Sequence, residues 1–332
     1  MPATASKQLP NRAIVLRVLN AEPDHYAPEA RAILADVAEV DERQLDRTSL
    51  MACIGSYDAL IVRLAHRIDA PLLDAGSRLL AVASATTGLD HIDLGEARRR
   101  NVAVVSLKGE TQFLSSIPAT AELTWGLLLS ITRNIPAAIE DVREGRWNRD
   151  AHVGVDLAGR TLGLVGCGRI GQRVVSYARA FGMRVLAFDP LRAQLPDGVE
   201  RVRDLLELAV ASDVVSVHVP LDASTQNMID RSFFAAMRPG SYFVNTSRGA
   251  VVDESALVDA LDSGRLAGAA LDVVRGEQHL LSGRDQLVTI ASQGRDLIVT
   301  PHIGGASNDS MRATEIFIAR KLRDVLRARR SW

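Results

Sequence analysis

Short apolar runs alternate with segments of helical periodicity along nearly the whole chain. This alternation is typical of α/β proteins, in which helices connect parallel strands and cover the sheet. The runs are almost continuously apolar, which indicates strands that are buried on both faces. In the first third, the pattern predicts strands at Ala13–Leu16, Ala59–Arg63, Leu80–Ser84 and Val102–Val105, with a helix around Pro28–Val37.

The middle of the chain begins with a long helical segment from Ala119 to about Arg133, and more helix is predicted up to Trp147. Apolar runs then alternate with helical patterns as far as a last helix, which starts at Asn308. The strands predicted in this half are Leu162–Val165, Val185–Phe188, Val214–Val217, Tyr242–Asn245, Ala269–Val273 and Leu297–Thr300.

A glycine motif after the first of these strands is the most specific signal in the chain. The apolar run leads directly into Gly166-Cys167-Gly168-Arg169-Ile170-Gly171, and a helical pattern follows. Gly166 allows the tight turn, Gly168 lets a pyrophosphate approach the backbone, and Gly171 lets helix and strand pack closely. The new helix directs its free N–H groups at the phosphates. Asp189 ends the next apolar run, at about the distance expected of the carboxylate that binds the ribose hydroxyls.

Strand, glycine turn, helix and acid in this order predict dinucleotide binding, whereas the glycines alone would also fit an ordinary turn. A carboxylate at Asp189 repels a ribose 2′-phosphate, which favours NAD over NADP. Arg192 lies close enough in the sequence to favour NADP instead. We therefore predict NAD, with the strictness of the preference open.

The glycine motif begins near residue 160, so a folded segment precedes it. A chain of 332 residues also exceeds what one hydrophobic core usually holds. These features predict a doubly wound parallel-sheet (Rossmann) cofactor domain over residues 108–301. It is inserted into a second α/β domain, the substrate domain, which is built from both chain ends, residues 1–107 and 302–332.

Composition and charge narrow the class of protein. With 47% apolar and 24% charged residues, the chain has an ordinary globular composition. A net charge of −1 gives no reason to expect nucleic acid or an anionic membrane as partner, and no apolar run is long enough for a membrane span. Only Cys53 and Cys167 are present, which favours a reducing cytoplasm. The first dozen residues lack the apolar core of a signal peptide, so we expect a loose tail there.

Ligands of such sheets bind beyond the carboxyl ends of strands, and three predicted strand ends have suitable side chains. Arg248 follows the first and offers a planar fork for a carboxylate, although a surface arginine would give the same pattern. Asp272 follows the next, with Glu277 shortly beyond. His302 follows the last, and an imidazole can donate and accept protons near neutral pH. A lone histidine would more often be structural, so the prediction depends on the acid and the arginine nearby.

Five motifs that occur in order from about Ala59 to the C-terminus resemble the D-isomer-specific 2-hydroxyacid dehydrogenases. That family includes phosphoglycerate dehydrogenases and glyoxylate/hydroxypyruvate reductases. The resemblance implies a flavodoxin-like substrate domain, an NAD cofactor and a homodimer built largely through the cofactor domain. The motifs are the glycine motif with Asp189, VNTSRGAVVDE (Val244–Glu254), GAALDV (Gly268–Val273), Glu277 and TPHIGGAS (Thr300–Ser307).

The resemblance also implies a role for each matching residue. Arg248 would bind the substrate carboxylate and keto oxygen, His302 would be the acid/base, and Glu277 would be its partner. Arg63 and the loop Thr86-Thr87-Gly88 would bind the substrate. The cofactor would be bound by Gly166, Gly168, Arg169, Ile170, Gly171, Asp189, His218, Pro220, Thr225, Thr120, Thr246 and Asp272.

The implied activity is hydride transfer between NAD(H) and a small D-2-hydroxy acid or 2-oxo acid, and no metal site is predicted. Two other functions stay open. Transcriptional corepressors that bind NAD without catalysis resemble the same family, although the complete Arg248, Glu277 and His302 set argues against that class. Oxidation of another small anion such as formate would use the same carboxylate-binding arginine.

Four departures from the family pattern concern the substrate side. Ser84 stands where phosphoglycerate enzymes often have an arginine, and Gln278 stands where a proline usually follows the glutamate. The spacing between Glu277 and His302 is longer than is common, and the segment Lys108–Ile117 looks extended. These departures leave the predicted cofactor site intact and keep the identity of the 2-oxo acid open.

Overall fold

The computed structural model describes residues 15–277, 286–292 and 296–330. The chain divides into two compact units, one with residues up to 108 and from 311, the other with residues 109–310. Sequence analysis put the second boundary before His302, whereas the structure keeps 302–310 with the second unit. The reason is local, because the backbone N–H groups of His302 and Ile303 donate to Asp272. The functions assigned to the two domains stay a prediction.

A parallel sheet forms the first unit. Its strands are β1 (Leu16–Asn20), β2 (Ala38–Glu42), β3 (Ala59–Val62), β4 (Ala81–Ser84) and β5 (Ala103–Ser106). They lie in the order β2-β1-β3-β4-β5, which is the flavodoxin-like order. The helices are α1 (Pro28–Ala35), α2 (Arg47–Cys53), α3 (Ala70–Ala75), α4 (Leu94–Arg99) and the last helix of the chain (Asn308–Arg330), which lies in this unit from residue 311.

Buried apolar side chains from strands and helices hold this unit together. Leu19, Leu60 and Val82 of the sheet are completely inaccessible to solvent, and each contributes about 1.5–3 kcal/mol by burial. Aspartate side chains accept hydrogen bonds from the first turns of three helices, which stabilises each helix by about 1 kcal/mol. These N-caps are Asp46, Asp69 and Asp93.

A longer parallel sheet forms the second unit, and its strands are β6 (Thr161–Val165), β7 (Arg184–Phe188), β8 (Val199–Arg201), β9 (Val214–Val217), β10 (Ser241–Asn245), β11 (Leu266–Leu271) and β12 (Leu297–Val299). The order is β12-β11-β10-β9-β6-β7-β8. Counted from β6, this is the Rossmann order with one strand added at the edge. The predicted two-domain α/β fold class is therefore confirmed.

The helices of the second unit cover both faces of its sheet. Successive residues of β6 alternate between two apolar clusters, with Leu162 and Leu164 in one and Val165 in the other. This alternation explains why the strands are continuously apolar in sequence. The helices are α5 (Thr111–Leu114), α6 (Ala119–Thr132), α7 (Ile135–Arg143), α8 (Arg169–Ala180), α9 (Leu205–Ala211), α10 (Arg231–Ala236), α11 (Glu254–Asp262) and α12 (Gln286–Ser292).

Two strands were not predicted, β2 and β8, and both lie at a sheet edge. Edge strands need only one buried face, and Glu39 and Glu200 interrupt these two with charge. Their sequences therefore lack the continuous apolar run that marks a central strand.

Three predicted boundaries were wrong. The first strand begins at Leu16, where the predicted strand ends, and Ala13 lies outside the described residues. Helix α7 ends at Arg143 and does not continue to Trp147. Strand β11 ends at Leu271, because Asp272 already belongs to the turn that follows.

The predicted N-terminal tail and Gln278 lie outside the described residues. No helix within the described ranges is both long and apolar enough to cross a lipid bilayer. The same ranges contain no group of three His, Cys, Asp or Glu side chains that could hold a metal ion.

Candidate active site

The glycine motif forms the turn between β6 and α8. Gly166 has a φ of +89°, and a Cβ there would lie 2.7 Å from the carbonyl oxygen of His218. A Cβ at Gly171 would lie 2.5 Å from the carbonyl oxygen of Gly166, so α8 approaches the strand only because no side chain intervenes. At Gly168, by contrast, no atom of the described chain lies within 4 Å of the Cβ position. The turn therefore leaves space at the one glycine that was predicted to face a pyrophosphate.

Helix α8 starts at Arg169, and no side chain caps its N-terminus. The N–H groups of its first turn lack intrahelical acceptors, and an anionic pyrophosphate beside Gly168 fits them. The Arg169 guanidinium donates to the carbonyl oxygens of Leu114 and Ile117 at 3.4 and 3.1 Å, and burial lowers its pKa. Arg169 thus connects the segment after α5 to the start of the cofactor helix.

Asp189 lies at the carboxyl end of β7, beside the glycine turn. Its Oδ2 accepts from the N–H of Cys167 at 2.9 Å, and its Oδ1 accepts from Leu191 and Arg192 N–H at 3.0 and 3.1 Å. A carboxylate has about four lone-pair sites, so it can still accept from a ribose hydroxyl. The Arg192 guanidinium lies 2.7 Å from the side-chain amide of Gln172 in α8.

His218 follows β9 and lies against the glycine turn. Its Nε2 is 2.9 Å from the hydroxyl of Ser216, and its buried Nδ1 has no partner among the described residues. Burial lowers the pKa of His218 to about 3, so the ring is neutral. Thr225 closes the next turn, since its hydroxyl donates to the carbonyl oxygen of Pro220 at 2.7 Å and accepts from the N–H of Asp222 at 2.9 Å.

Glu277 and His302 form a hydrogen-bonded pair, with Oε1 and Nδ1 2.6 Å apart. Their side chains are 30% and 22% exposed, so both can be reached from solvent. A carboxylate at this distance stabilises the protonated ring and fixes its orientation. With Nδ1 facing Glu277, Nε2 is the nitrogen that can exchange a proton with a substrate.

Asp272 fixes the turn that contains His302. His302 has a φ of +54°, which few residues with side chains adopt. Its N–H donates to the Asp272 carbonyl oxygen at 2.9 Å. The Asp272 carboxylate accepts from Thr300 Oγ1 at 2.6 Å and from Ile303 and Gly304 N–H at 2.8 and 2.7 Å. Burial raises the pKa of Asp272, and these hydrogen bonds act in the opposite direction.

Arg248 lies in the turn after β10, the strand next to β11. Asn245 shapes this turn, because its amide donates to the Arg248 carbonyl oxygen at 3.0 Å and its Oδ1 accepts from Ser247 N–H at 3.0 Å. A Cβ at Gly249 would lie 2.1 Å from the carbonyl carbon of Val274. The turn with Arg248 thus packs directly against the segment that leads to Glu277.

Arg275 strengthens this contact, although sequence analysis did not single it out. Its Nη2 donates to the carbonyl oxygens of Val252 and Ala250 at 3.0 and 3.4 Å, and to Asn227 Oδ1. Its backbone N–H donates to Glu254 Oε1 at 2.5 Å. Nothing in the sequence distinguishes such an arginine from a solvated one, because its acceptors come from separate turns.

A pair of threonines links α6 to the end of β10. The hydroxyls of Thr124 and Thr246 are 2.8 Å apart and buried, and the Thr124 hydroxyl also bonds the Thr120 carbonyl oxygen at 2.7 Å. The Cγ2 of Thr120 lies 3.3 Å from the Cβ position of Gly304. The structure therefore brings Thr120 and Thr246 to the end of the sheet where the His302 turn lies.

In the first unit, Thr86-Thr87-Gly88 form the loop after β4. The Thr86 hydroxyl donates to the Gly88 carbonyl oxygen at 2.9 Å and pairs with the Ser84 hydroxyl at 2.9 Å. The backbone N–H groups of Thr87 and Gly88 have no acceptor in the part of the chain that the structure describes. Adjacent free N–H groups of this kind suit a carboxylate.

Arg63 lies at the end of the neighbouring strand, β3. Its Nη2 donates to Glu315 Oε1 at 2.8 Å and to the Asp24 carbonyl oxygen at 2.7 Å. Sequence analysis found Arg63 through the family resemblance but gave no sign of Glu315, which lies in the last helix.

Known proteins resemble this chain over most of its length. The model described as the NAD binding domain of D-isomer specific 2-hydroxyacid dehydrogenases matches residues 125–304. The hydroxypyruvate reductase of Thermotoga maritima is 38% identical over 86% of this chain and 90% of its own length. The D-3-phosphoglycerate dehydrogenase of Methanocaldococcus jannaschii is 35% identical over 94% of this chain, which spans 58% of that relative's length.

Solved structures agree with this relation. A crystal structure of the TT0316 protein from Thermus thermophilus has a TM-score of 0.82 at 34% identity and covers 94% of this chain and 97% of its own. The D-lactate dehydrogenase of Aquifex aeolicus, complexed with NAD and lactic acid, has a TM-score of 0.81 at 26% identity and covers 94% and 96%. The chain belongs to the D-isomer specific 2-hydroxyacid dehydrogenase family and is an NAD-dependent oxidoreductase.

Proposed function

We propose that the protein transfers a hydride between NAD(H) and a small D-2-hydroxy acid or 2-oxo acid, with His302 as the acid/base. The observation that supports this most strongly is the contact of 2.6 Å between Glu277 Oε1 and His302 Nδ1. It occurs in the same sheet as the glycine turn, on a histidine that solvent reaches.

Each residue has a defined task in the proposed reaction. When bound, the nicotinamide supplies or accepts the hydride. In the reduction direction, His302 donates its Nε2 proton to the keto oxygen while Glu277 stabilises the charged ring. Arg248 binds the substrate carboxylate and disperses the negative charge that develops on the oxygen. The N–H groups of Thr87 and Gly88 are assigned to the same carboxylate, and oxidation reverses the proton transfer.

A panel of substrates tests the proposal. NADH oxidation is measured with glyoxylate, hydroxypyruvate, pyruvate, branched 2-oxo acids and phosphohydroxypyruvate, and NAD reduction with formate. Turnover of at least one 2-oxo acid is expected. NADH binding without turnover of any of them would favour the NAD-sensing alternative, and turnover of formate alone would favour the other.

We propose that the enzyme prefers NAD to NADP, because the Asp189 carboxylate lies beside the glycine turn and repels a 2′-phosphate. The ratio of kcat/KM for NADH to that for NADPH should be well above one. A preference for NADPH would show that the nearby Arg192 overrides the acid.

We also propose a homodimer in the cytoplasm, formed through the cofactor domain. Helix α7 has no buried residue, and Ile135, Ile139 and Val142 lie on one face with 40–55% exposure. Trp147, just beyond, is 89% exposed; an apolar surface of this kind is typical of an interface. Sedimentation should give a dimer, and Trp147→Glu should shift it to monomer. A monomeric wild-type protein would contradict this part.

A further inference from the structure

A small cavity in the first unit lies beyond the carboxyl ends of β1 and β3. These neighbouring strands mark the point where the strand order of the sheet reverses, which is where open α/β sheets bind ligands. Asn20 is fully buried there, and its Nδ2 has no partner within the described residues. The polar and small residues that line the cavity are Asn20, Glu22, Tyr26, Arg63, Ala85 and Glu315.

The cavity adjoins the loop that the proposed function assigns to the substrate carboxylate. Ala85, in its lining, immediately precedes Thr86-Thr87-Gly88. Arg63 follows β3, and Ser84 at the end of β4 reaches back to the Arg63 carbonyl oxygen at 3.4 Å. The charge beside Arg63 therefore acts on whatever group a 2-oxo acid bound at that loop has next to its keto carbon.

Two buried carboxylates flank the Arg63 guanidinium or its backbone. Glu315 is 3% exposed and accepts from Arg63 at 2.8 Å and from Ala27 N–H at 2.8 Å. Glu22 is 8% exposed and accepts from the N–H groups of Arg63 to Ala65 at 2.9–3.3 Å. One cation thus stands against two anions, and the local sum is negative.

Other groups around the cavity do not reverse this sign. Arg31 forms an ion pair with Glu42, so these two charges cancel. The pKa of Tyr26 is raised, first by burial and then by the negative charges of Glu315 and Glu42, which act more strongly than Arg63 and Arg31. The field at the Tyr26 hydroxyl is therefore that of an excess of carboxylate.

We propose that Glu315 determines specificity: by pairing with Arg63, it makes this end of the substrate site repel a second anionic group. The protein then acts on 2-oxo acids whose side chain is uncharged and discriminates against phosphorylated ones. This inference rests on the proposed function, which assigns the neighbouring loop to the substrate. Breaking a buried pair to free the arginine is costly, and a like charge placed beside a site is an effective way to reject a competitor.

Glu315→Gln tests the proposal, with hydroxypyruvate and phosphohydroxypyruvate as substrates that differ by the phosphate. The wild-type protein should prefer hydroxypyruvate. The variant should raise kcat/KM for phosphohydroxypyruvate relative to hydroxypyruvate by about tenfold or more, because a negative charge beside the phosphate is removed. Its kcat/KM with hydroxypyruvate should change by less than about threefold, since that substrate has no second charge.

Asp58→Asn is a matched control at the other end of the same strand. Asp58 is also a buried carboxylate that pairs with an arginine, Arg78, at 2.9 Å. It precedes β3, whereas Arg63 follows it. The control removes the same charge far from the cavity, so the ratio between the two substrates should stay at the wild-type value.

A salt titration of the wild-type protein gives the same answer without a variant that has to fold. Raising KCl from about 0.02 M to about 0.3 M screens exposed charges. If the site repels the phosphate, kcat/KM for phosphohydroxypyruvate should rise relative to hydroxypyruvate. A fall would mean that Arg63 attracts the phosphate, which would overturn the proposal.

The outcomes separate this inference from the function on which it rests. Absence of turnover with every 2-oxo acid would contradict the proposed function. Turnover with a wild-type preference for phosphohydroxypyruvate, or an unchanged ratio in a folded Glu315→Gln, would overturn the inference and leave the proposed function standing.

Discussion

Two histidines end strands of one sheet in the second unit, and their surroundings are opposite. His302 follows β12, is 22% exposed and has the Glu277 carboxylate 2.6 Å away. His218 follows β9 and has only the Ser216 hydroxyl within hydrogen-bond distance, at 2.9 Å. Burial lowers the pKa of His218 to about 3.

The difference shows that a strand end alone does not make a histidine a proton-transfer group. A carboxylate partner and access to solvent let His302 hold and release a proton. A buried Nδ1 without a partner keeps His218 neutral, so it can only accept or donate a hydrogen bond. We therefore assign the chemistry to His302 and a packing role beside the glycine turn to His218.

The largest expected effect comes from His302→Asn. Loss of the proton donor should lower kcat for the best 2-oxo acid by about 10²–10⁴-fold. NADH affinity, measured by fluorescence titration, should change little, because the glycine turn is untouched.

His152→Asn provides the matched control, since His152 also has a carboxylate partner, Asp141, at 2.6 Å. It lies after α7, outside the candidate site, so its turnover should be that of the wild type. Near-normal kcat in His302→Asn would end the assignment of the acid/base.

A smaller effect on stability is expected from His218→Gln. The folded pKa of about 3 lies below the ordinary value of 6.5, so the unfolded chain binds the extra proton first as pH falls. His218 therefore destabilises the fold below pH 6.5, by up to about 1.4 kcal/mol per pH unit. Urea unfolding between pH 7 and pH 5 should show a shallower loss of stability in the variant. An unchanged slope would mean that the ring is protonated in the folded protein.

The smallest effect is expected from Arg275→Ala, which acts only through Glu277. Without its hydrogen bonds to Val252 and Ala250, the segment leading to Glu277 is held less firmly, and kcat should fall by about 3–10-fold with KM for NADH unchanged. Arg275→Lys should recover part of the rate. An equal loss of kcat and of NADH binding would indicate general destabilisation.

Much of the fold and half of the candidate site follow from the sequence, because their signals are local. A buried parallel strand is a continuous apolar run, and Gly166, Gly168 and Gly171 are spaced by the geometry of one turn. Glu277 and His302 were found because each follows a strand and parallel strands end at the same edge. Their contact could be expected, though not its distance.

The remaining features depend on packing between distant segments. Glu315 lies in the last helix and meets Arg63 from β3, so no spacing links the two. Arg275 reaches acceptors in three separate turns, and edge strands such as β2 bury only one face. Local patterns do not encode such contacts, whereas the folded chain determines them directly.

The pH dependence of kcat for 2-oxo acid reduction in the wild type, Glu277→Gln and His218→Gln tests the central claim most directly. Reduction needs a protonated His302, so activity should fall as pH rises. Glu277→Gln should move this fall to lower pH, because the protonated ring loses its carboxylate partner, and His218→Gln should leave its position unchanged. A profile that Glu277→Gln does not move, or that His218→Gln does, would contradict the account.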